Sequence, residues 1–307
     1  MATPEPVHTL SDLDSWNFPG VALAVLGHPI KHSISPAMHN AALAELARTD
    51  KQFSNWRYFR FDIPPEDLPR ALERFRAKNF RGLNLTIPHK VIANDLISSG
   101  RLAGAIDSAA QPIGAVNTLL ATEKGWQGFN TDGHGLATAI REDLGLDVSR
   151  SHIILLGAGG AARGAAVECL QRHCRSLWLA NRTAANRDSL LQQLSSIAKG
   201  IPLHGFDPAT PPAELPTGAI VINATSAGLK DTDAPPADLA KLPCPSGVYD
   251  MIYNPPQTKL LAQAEQLKIP NANGLSMLIH QGAKALSIWT GREVPVAAMA
   301  TAAKAAM

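Results

Sequence analysis

The stretch HIILLGAGGAARGAAVECL (residues 152–170) decides the fold. Its first five residues form an apolar run of strand length, and residues 157–162 read G-x-G-x-x-A before a helical pattern that continues toward Leu170. Gly157 permits a tight turn, Gly159 lets a phosphate approach the backbone, and Ala162 is small enough for the helix to pack on the strand. The start of such a helix also presents unpaired N–H groups to phosphates. A strand before the glycines and a helix after them favour dinucleotide binding over an ordinary glycine-rich turn.

The end of the next predicted strand indicates which dinucleotide is bound. About 20 residues after the glycines, NAD-binding proteins carry Asp or Glu for the ribose 2′-hydroxyl. This chain instead has Asn181-Arg182-Thr183, with Arg187 nearby. A guanidinium pairs with a 2′-phosphate through two hydrogen bonds and stacks on adenine, whereas a carboxylate would repel the phosphate. The pattern therefore predicts NADP, and the alternative is that Arg182 is a solvated surface residue.

Short apolar runs alternate with helical patterns on both sides of this stretch. Strands are predicted at residues 21–26, 56–61, 82–85, 152–156, 176–180, 219–223 and 247–250. Helices are predicted at residues 36–47, 66–78, 133–144, 275–289 and 296–306, and the proline-rich stretches 207–216 and 231–236 are predicted to be surface connections. Strands separated by helices favour parallel βαβ units, so the sequence predicts an α/β fold.

The composition limits the class of protein further. The length of 307 residues suggests two domains, and 28 basic residues nearly cancel 26 acidic ones. No run of Lys and Arg stands out, so neither nucleic acid nor a membrane is an expected partner. The segment MATPEPVHTLSDLD (residues 1–14) does not resemble a signal peptide, and Cys169, Cys174 and Cys244 lack metal-ligand spacing. We therefore expect a cytoplasmic protein with free thiols and no metal site.

Seven further segments are hard to explain as packing alone. They are GHPIKHSISPAMHN (27–40), GLNLTIPHK (82–90), IGAVNT (113–118), GFNTDGHG (128–135), INATSAG (222–228), YDMIYNPPQT (249–258) and NGLSMLIHQGAKAL (273–286). Together with GAGGAARG and NRT, they resemble the motif series of the shikimate dehydrogenases, in the same order, from about residue 21 to about residue 291. The resemblance implies reversible reduction of 3-dehydroshikimate to shikimate with NADPH, a step of chorismate and aromatic amino acid biosynthesis.

The resemblance also implies how the domains are arranged. An N-terminal substrate-binding α/β domain with a mainly parallel sheet is expected at residues 1–130, and a Rossmann-type NADP-binding domain at residues 131–270. C-terminal helices within residues 271–307 are expected to return to the N-terminal domain. The active site is expected in the cleft between the two domains.

The expected substrate carries a carboxylate and several hydroxyls, which need different partners. Ser33 and Ser35 offer hydroxyls beside a helix that begins at Pro36, a combination that suits an anion. The alternative is that Ser35 only caps this helix, and the resemblance favours carboxylate binding. Further substrate contacts implied by the resemblance are Asn84, Thr86, Asn117, Tyr253 and Gln281. For Asn117, an ordinary turn asparagine is the competing interpretation.

Lys90 and Asp132 are the candidate catalytic residues. Hydride delivered to a ketone leaves a developing alkoxide, which needs a proton donor within hydrogen-bond reach. A lysine ammonium can be that donor, and a nearby carboxylate favours the charged lysine and orients both groups. Taken alone, Lys90 could be a solvated lysine near a helix start and Asp132 a helix cap. Their positions in two matching motifs of the same family favour the catalytic role.

The cofactor side has a longer set of candidates, from the glycine pattern and the resemblance together. They are Gly157, Ala158, Gly159, Gly160, Ala161, Asn181, Arg182, Thr183, Arg187, Thr225, Met251 and Gly274. Two features depart from the family's pattern. Asn186 precedes Arg187 where a second basic residue is expected, which leaves some use of NAD open, and the chain between Lys90 and Asn117 is longer than in compact members.

Two other functions remain open on the sequence alone. One is a quinate or dual quinate/shikimate dehydrogenase that uses NAD, although the two serines and Arg182 favour shikimate and NADP. The other is a non-catalytic dinucleotide-binding sensor, which would have no need of Lys90 and Asp132. The sequence leaves monomer and homodimer equally open.

Overall fold

The computed structural model describes residues 5–307, which fall into two units. The first unit contains the chain up to residue 131 and from residue 281 onward, and the second contains residues 132–280. Residues 1–4, which belong to the N-terminal segment interpreted above, lie outside the described residues.

The first unit is built on a seven-stranded sheet with the spatial order β1-β3-β2-β4-β6-β7-β5. Its strands are β1 (Val7–His8), β2 (Val21–Gly27), β3 (Trp56–Asp62), β4 (Gly82–Leu85), β5 (Gly104–Ile106), β6 (Thr118–Thr122) and β7 (Gly125–Phe129). Its first three helices are α1 (Ser35–Thr49), α2 (Leu68–Ala77) and α3 (His89–Ser98). Neighbours among β1 to β4 run parallel, whereas β6 pairs antiparallel with both β4 and β7. The mainly parallel sheet is therefore confirmed.

The side chains of β3 alternate between the two faces of this sheet, and the two faces differ in character. Phe59 and Phe61 join the apolar core on one face, where the ring of Phe61 lies 4.8 Å from that of Phe75. Helix α2 supplies Phe75 from an apolar stripe that also contains Leu68, Ala71 and Leu72. The other face of β3 carries Tyr58 and Arg60, both less than one-tenth exposed.

The second unit is built on six parallel strands with the spatial order β10-β9-β8-β11-β12-β13. They are β8 (His152–Leu156), β9 (Ser176–Ala180), β10 (Leu203–Phe206), β11 (Ile220–Asn223), β12 (Gly247–Asp250) and β13 (Asn271–Ala272). The helices are α4 (Asp132–Leu144), α5 (Gly160–Gln171), α6 (Ala184–Ser195) and α7 (Lys259–Gln266). Counted from β8, the order is 3-2-1-4-5-6, which is the Rossmann arrangement, and the predicted fold class is confirmed.

The C-terminal part of the chain forms two helices, α8 (Leu275–Thr290) and α9 (Val296–Ala305). Each ends one residue away from its predicted end. Helix α9 packs on α1, and the buried Trp289 near the end of α8 donates a hydrogen bond to the Leu119 carbonyl at 2.9 Å. These contacts attach the chain from residue 281 onward to the first unit. Within residues 5–307, no helix is long and apolar enough to cross a membrane.

Candidate active site

A cavity of about 440 Å³ lies at the carboxyl ends of β8, β9 and β11 in the second unit. Between β8 and β11 the order of connection reverses, and such a switch point is where Rossmann sheets bind nucleotides. Six predicted cofactor residues line the cavity: Gly157, Ala158, Gly159, Asn181, Arg182 and Thr225. Residues that the sequence had not indicated also line it: Pro208, Ser226, Asp233, Pro235 and Pro236.

The glycine-rich turn after β8 forms one wall of this cavity. Gly157 has a φ of +111°, and its N–H donates to the Ala180 carbonyl at 2.8 Å. A Cβ added to Gly157 would lie 2.9 Å from Cγ2 of Thr225, so both conformation and space require glycine there. Gly159 precedes the first residue of α5 in an extended conformation, and a Cβ added to it would meet nothing within 4 Å. The turn therefore leaves open space beside Gly159.

The loop that carries Thr225 is held by a buried polar network. Oδ1 of Asn223 accepts hydrogen bonds from the N–H (3.0 Å) and the hydroxyl (2.7 Å) of Thr225. Asn223 in turn donates to Oδ1 of Asp250 at 2.9 Å, and Thr258 donates to Oδ2 of Asp250 at 2.7 Å. Burial raises the pKa of Asp250, while these hydrogen bonds act to lower it. The carboxyl of Asp250 thus connects the INATSAG and YDMIYNPPQT motifs. Through Asn223, it fixes the position of Thr225 at the cavity wall.

The two arginines after β9 differ in their surroundings. Arg182 is exposed and lines the cavity, and the amide of Asn181 donates to the Thr183 carbonyl at 2.9 Å, which shapes the turn around it. Arg187 donates to Asp188 at 2.8 Å and packs against Gly205 of β10.

The remaining cofactor candidates are distributed around this turn and the end of β12. Of the residues that the structure describes, Gly160, Ala161, Thr183, Arg187, Met251 and Gly274 are not part of the cavity lining. Gly160 and Ala161 form the first turn of α5, and Gly274 packs against the Met251 backbone.

In the first unit, Asn117 lies at the centre of a second polar network. It is only 2% exposed, and its amide donates to Oγ1 of Thr131 at 2.9 Å and to Oε1 of Gln281 at 3.3 Å. Its Oδ1 accepts from the N–H of Thr131 and from the hydroxyl of Thr118, both at 2.9 Å. Two predicted substrate residues, Asn117 and Gln281, are thus in direct contact, and Thr131 and Thr118 are partners that the sequence had not indicated.

Asn84 belongs to the same network. Its amide donates to the Asn117 carbonyl and to Oγ1 of Thr118, each at 3.1 Å, and its Oδ1 accepts from the hydroxyl of Tyr58 at 2.8 Å. Both donors of the Asn84 side chain are therefore used within the protein. Thr86, at the end of the same strand, donates its N–H to the Leu26 carbonyl at 3.0 Å, and its side chain is half-buried.

The two serines lie at the start of α1. Oγ of Ser33 accepts a hydrogen bond from the N–H of Ser35 at 3.3 Å. Ile34 occupies the N-cap position with no capping side chain, and Ser35 is the first residue of the helix, so the interpretation of Ser35 as a simple cap is wrong. Ser35 is 8% exposed. Burial raises the pKa of Tyr58, and the smaller opposing effect of the Ser35 side chain lowers it.

The catalytic candidates are each attached through the backbone to the segment around Asn117. Lys90 is the second residue of α3, and its carbonyl accepts the N–H of Val116 at 3.0 Å. Asp132 opens α4 and directly follows Thr131, which bonds to Asn117. Tyr253 follows β12 in the second unit, where burial raises its pKa. No group of three or more potential metal ligands occurs in the part of the chain that the structure describes.

Close to this network, His39 is fully buried. Its Nδ1 lies 2.9 Å from the Ser35 carbonyl oxygen, and its ring stacks on Tyr58 with 4.0 Å between centroids. Burial lowers the pKa of His39 to about 4, against the opposing effect of the hydrogen bond to the Ser35 backbone. His39 is therefore neutral in the folded protein at pH 7.

We expect His39 to make the protein less stable in acid. An unfolded histidine has a pKa of about 6.5, so the unfolded chain takes up a proton that the folded chain refuses until the pH approaches 4. The contribution of neutral His39 to the free energy of unfolding is therefore present above pH ~6.5. It should fall by roughly 2 kcal/mol by pH ~4.5. In the variant His39→Phe, which keeps a ring on Tyr58, urea unfolding should show a smaller loss over this range. His204→Phe, which changes an exposed histidine stacked on Trp178, is the matched control. An identical pH slope in wild type and His39→Phe would contradict this account.

Family models match two parts of the chain. A model described as the shikimate dehydrogenase substrate binding domain matches residues 25–119. Another, described as the shikimate 5'-dehydrogenase C-terminal domain, matches residues 274–304.

Whole-chain comparisons give similar relatives. The chain is 38% identical over 290 residues to a Moorella thermoacetica protein named shikimate dehydrogenase (NADP(+)), with 93% of each chain covered. It resembles the structure of shikimate 5-dehydrogenase from Thermus thermophilus in complex with NADP(H) and shikimate (TM-score 0.79, 34% identity, 94% of this chain and 100% of that chain). It also resembles the ligand-free 5-ketofructose reductase of a Gluconobacter strain (TM-score 0.79, 29% identity, 95% of this chain and 100% of that chain).

Proposed function

Because this chain belongs to the shikimate dehydrogenase family, we propose that it catalyses the reversible, NADP-dependent reduction of 3-dehydroshikimate to shikimate. The observation that carries the proposal is the cavity at the switch point of the second sheet, which has Arg182 in its wall. The same activity is supported by the relative named shikimate dehydrogenase (NADP(+)) and by the similar structure in complex with NADP(H) and shikimate. The free thiols of Cys169 and Cys174 suit work in a reducing cytoplasm.

The residues around the cavity fit NADP. Open space beside Gly159 suits a pyrophosphate close to the backbone, and the start of α5 offers N–H groups to it. The exposed guanidinium of Arg182 suits a 2′-phosphate. When bound, NADPH supplies the hydride. In terms of domains, we propose that residues 131–270 bind NADP and residues 1–130 bind the substrate. The helices of residues 271–307, which belong to the first unit from residue 281 onward, are proposed to complete the substrate domain.

Lys90 and Asp132 are proposed to handle the proton. As the carbonyl carbon receives the hydride, the oxygen gains negative charge, and the Lys90 ammonium gives it a proton to form the hydroxyl. In the reverse direction, neutral Lys90 takes the hydroxyl proton. The carboxylate of Asp132 is proposed to orient the same hydroxyl.

The other substrate contacts are proposed by their chemistry. Ser33 and Ser35 hold the carboxylate, and Thr86, Asn117, Gln281 and Tyr253 hold the ring hydroxyls. Asn84 is proposed as a further contact, and it also orders Asn117 and Thr118 through hydrogen bonds from its amide.

The proposal is tested by following the absorbance of reduced nicotinamide with the purified protein. Shikimate and quinate are each supplied with NADP and with NAD. We expect shikimate with NADP to give the highest kcat/KM. A preference for quinate with NAD would establish the alternative dehydrogenase, and NADP binding without turnover of either substrate would indicate a sensor.

Arg182 should determine the choice between NADP and NAD. Loss of a charge-assisted hydrogen bond costs about 1.5–3 kcal/mol, so Arg182→Gln should raise KM for NADP by roughly 10- to 100-fold. KM for NAD, which has no 2′-phosphate, should change little. Arg187→Gln is the comparison variant, and a smaller effect is expected because Arg187 is already bonded to Asp188. Equal changes in KM for the two cofactors in Arg182→Gln would rule out a 2′-phosphate contact.

A further inference from the structure

Arg60 lies on β3 and is 8% exposed as a whole residue, and its guanidinium makes partly buried hydrogen bonds. Its Nη1 donates to the carbonyl of Lys31 at 2.5 Å and to the carbonyl of Ser33 at 3.1 Å. Its Nη2 donates to the carbonyl of Glu5. One side chain from the sheet thus holds two carbonyls of the same turn.

That turn belongs to the segment between β2 and α1, which carries the serines proposed to bind the substrate carboxylate. The N–H of Ser33 donates to the Ile30 carbonyl at 3.0 Å, and its Oγ accepts from Ser35 at 3.3 Å. Both hydrogen bonds connect residues within the turn and do not attach it to the sheet. Arg60 attaches the Lys31 and Ser33 carbonyls of this turn to β3, and His28 contacts Asp62 of the same strand at the start of the segment.

Removing a guanidinium from water, even in part, costs free energy, so holding a turn with one requires a compensating benefit. Desolvation lowers the pKa of Arg60, and the negative charge of Glu5 acts in the opposite direction. A neutral side chain could satisfy one carbonyl, but the planar guanidinium reaches several at fixed angles and keeps its charge. The positive charge of Arg60, next to the turn, also favours an anion bound by the hydroxyls of Ser33 and Ser35.

We propose that Arg60 is a positioning residue for shikimate: it orders the Ser33 turn before the substrate carboxylate arrives. This inference rests on the proposed function and deepens it. Arg60 itself does not touch the substrate. A turn that is already ordered loses less conformational freedom on binding, so the effect belongs to substrate affinity rather than to the chemical step.

The first experiment compares steady-state constants of Arg60→Met, Arg60→Lys and wild type. In Arg60→Met we expect KM for shikimate to rise roughly tenfold or more, because small misplacement of a binding group has effects of this size or larger. We expect kcat to change by less than about threefold and the Kd of NADP to be unchanged, since the chemical step keeps its groups. Arg60→Lys, which keeps the charge and a donor nitrogen but loses the planar guanidinium, should recover part of the loss. Arg57→Met is the matched control, because Arg57 lies on the same strand and contacts Glu5 without contacting the turn.

The second experiment asks whether Arg60 acts through Ser33. Ser33→Ala and Arg60→Met should each raise KM, and the double variant should resemble the worse single variant. Methyl shikimate, which lacks the carboxylate charge, should show little difference between wild type and Arg60→Met. If Arg60→Met only destabilised the fold, KM would rise equally for shikimate and methyl shikimate. In the double variant, the increases in KM caused by Arg60→Met and Ser33→Ala would then multiply.

The outcomes separate this inference from the proposed function. If the wild-type protein does not oxidise shikimate with NADP, the proposed function fails before any variant is made. If wild type is active and Arg60→Met and Arg60→Lys keep a normal KM, only the role of Arg60 is overturned. If Arg60→Met does not fold, Arg60→Lys with methyl shikimate and shikimate still decides the question, since equal KM changes for both substrates would overturn it.

Discussion

Replacing Lys90 by alanine should lower kcat by about 10²- to 10⁴-fold, the usual contribution of a positioned acid or base. KM for shikimate and for NADP should change far less, because the proton is needed mainly in the transition state. Lys90 is the second residue of α3, and its carbonyl bond to Val116 involves only the backbone. Truncating its side chain therefore leaves the hydrogen bond that attaches this helix start to the Asn117 segment.

The matched variants show whether the loss is chemical. Asp132→Asn should also lower kcat, and the double variant should be little worse than the worse single one, because residues that act as a unit are not additive. Lys284→Ala, an exposed lysine on α8, should leave kcat unchanged and controls for loss of a positive charge. A kcat within about tenfold of wild type in Lys90→Ala would remove this lysine from the proton transfer.

Four of the six strands of the second unit were predicted from the sequence, whereas β10 and β13 were not. β8, β9 and β12 begin and end at the predicted residues, and β11 begins one residue later than predicted. Parallel strands covered on both faces read as continuous apolar runs, and β11 is buried throughout. Such runs are short, uninterrupted and bounded by turn residues, so they favour strands over buried helices.

The hairpin of β6 and β7 was not predicted, and neither was β5. In the sequence TLLATEKGWQGF (118–129), the turn contains no Asn-Gly or Asp-Gly pair, and Gly125 takes a φ of +128°. The pairing of β6 with β4 depends on residues more than 30 positions apart, which no local pattern encodes.

The candidate site was predictable as a set of residues and not as a set of contacts. The type and position of Asn84 indicate a polar role, but its partner Tyr58 comes from β3 and could not be identified from spacing. Alternation along β3 places Tyr58 and Arg60 on one face, which was the available signal for both. Proline-rich segments interpreted as surface connections supply Pro208, Pro235 and Pro236 to the cavity wall, because a loop following a strand end can fold over it.

Replacing Gly159 by alanine should weaken NADP binding without weakening the fold. A Cβ at this position meets nothing within 4 Å in the protein, and the φ of −89° is ordinary for alanine. We therefore expect the free energy of unfolding to change by less than about 0.5 kcal/mol. The same methyl group would occupy the open space where the pyrophosphate is proposed to approach the backbone. Overpacking by one methyl costs about 1–3 kcal/mol, so the Kd of NADP should rise by roughly 10- to 100-fold.

Two neighbouring glycines make this result interpretable. Gly157→Ala should lower both stability and NADP affinity, because its φ of +111° strains alanine and the added Cβ would lie 2.9 Å from Cγ2 of Thr225. Gly164→Ala, inside α5 with nothing within 4 Å of the added Cβ, should bind NADP normally and gain up to about 1 kcal/mol of stability. Urea unfolding and a fluorescence titration with NADP measure the two quantities separately. Normal NADP affinity in a folded Gly159→Ala protein would mean that the dinucleotide does not pass close to the backbone at this turn, since no described residue beyond the two chain neighbours lies near the added methyl group.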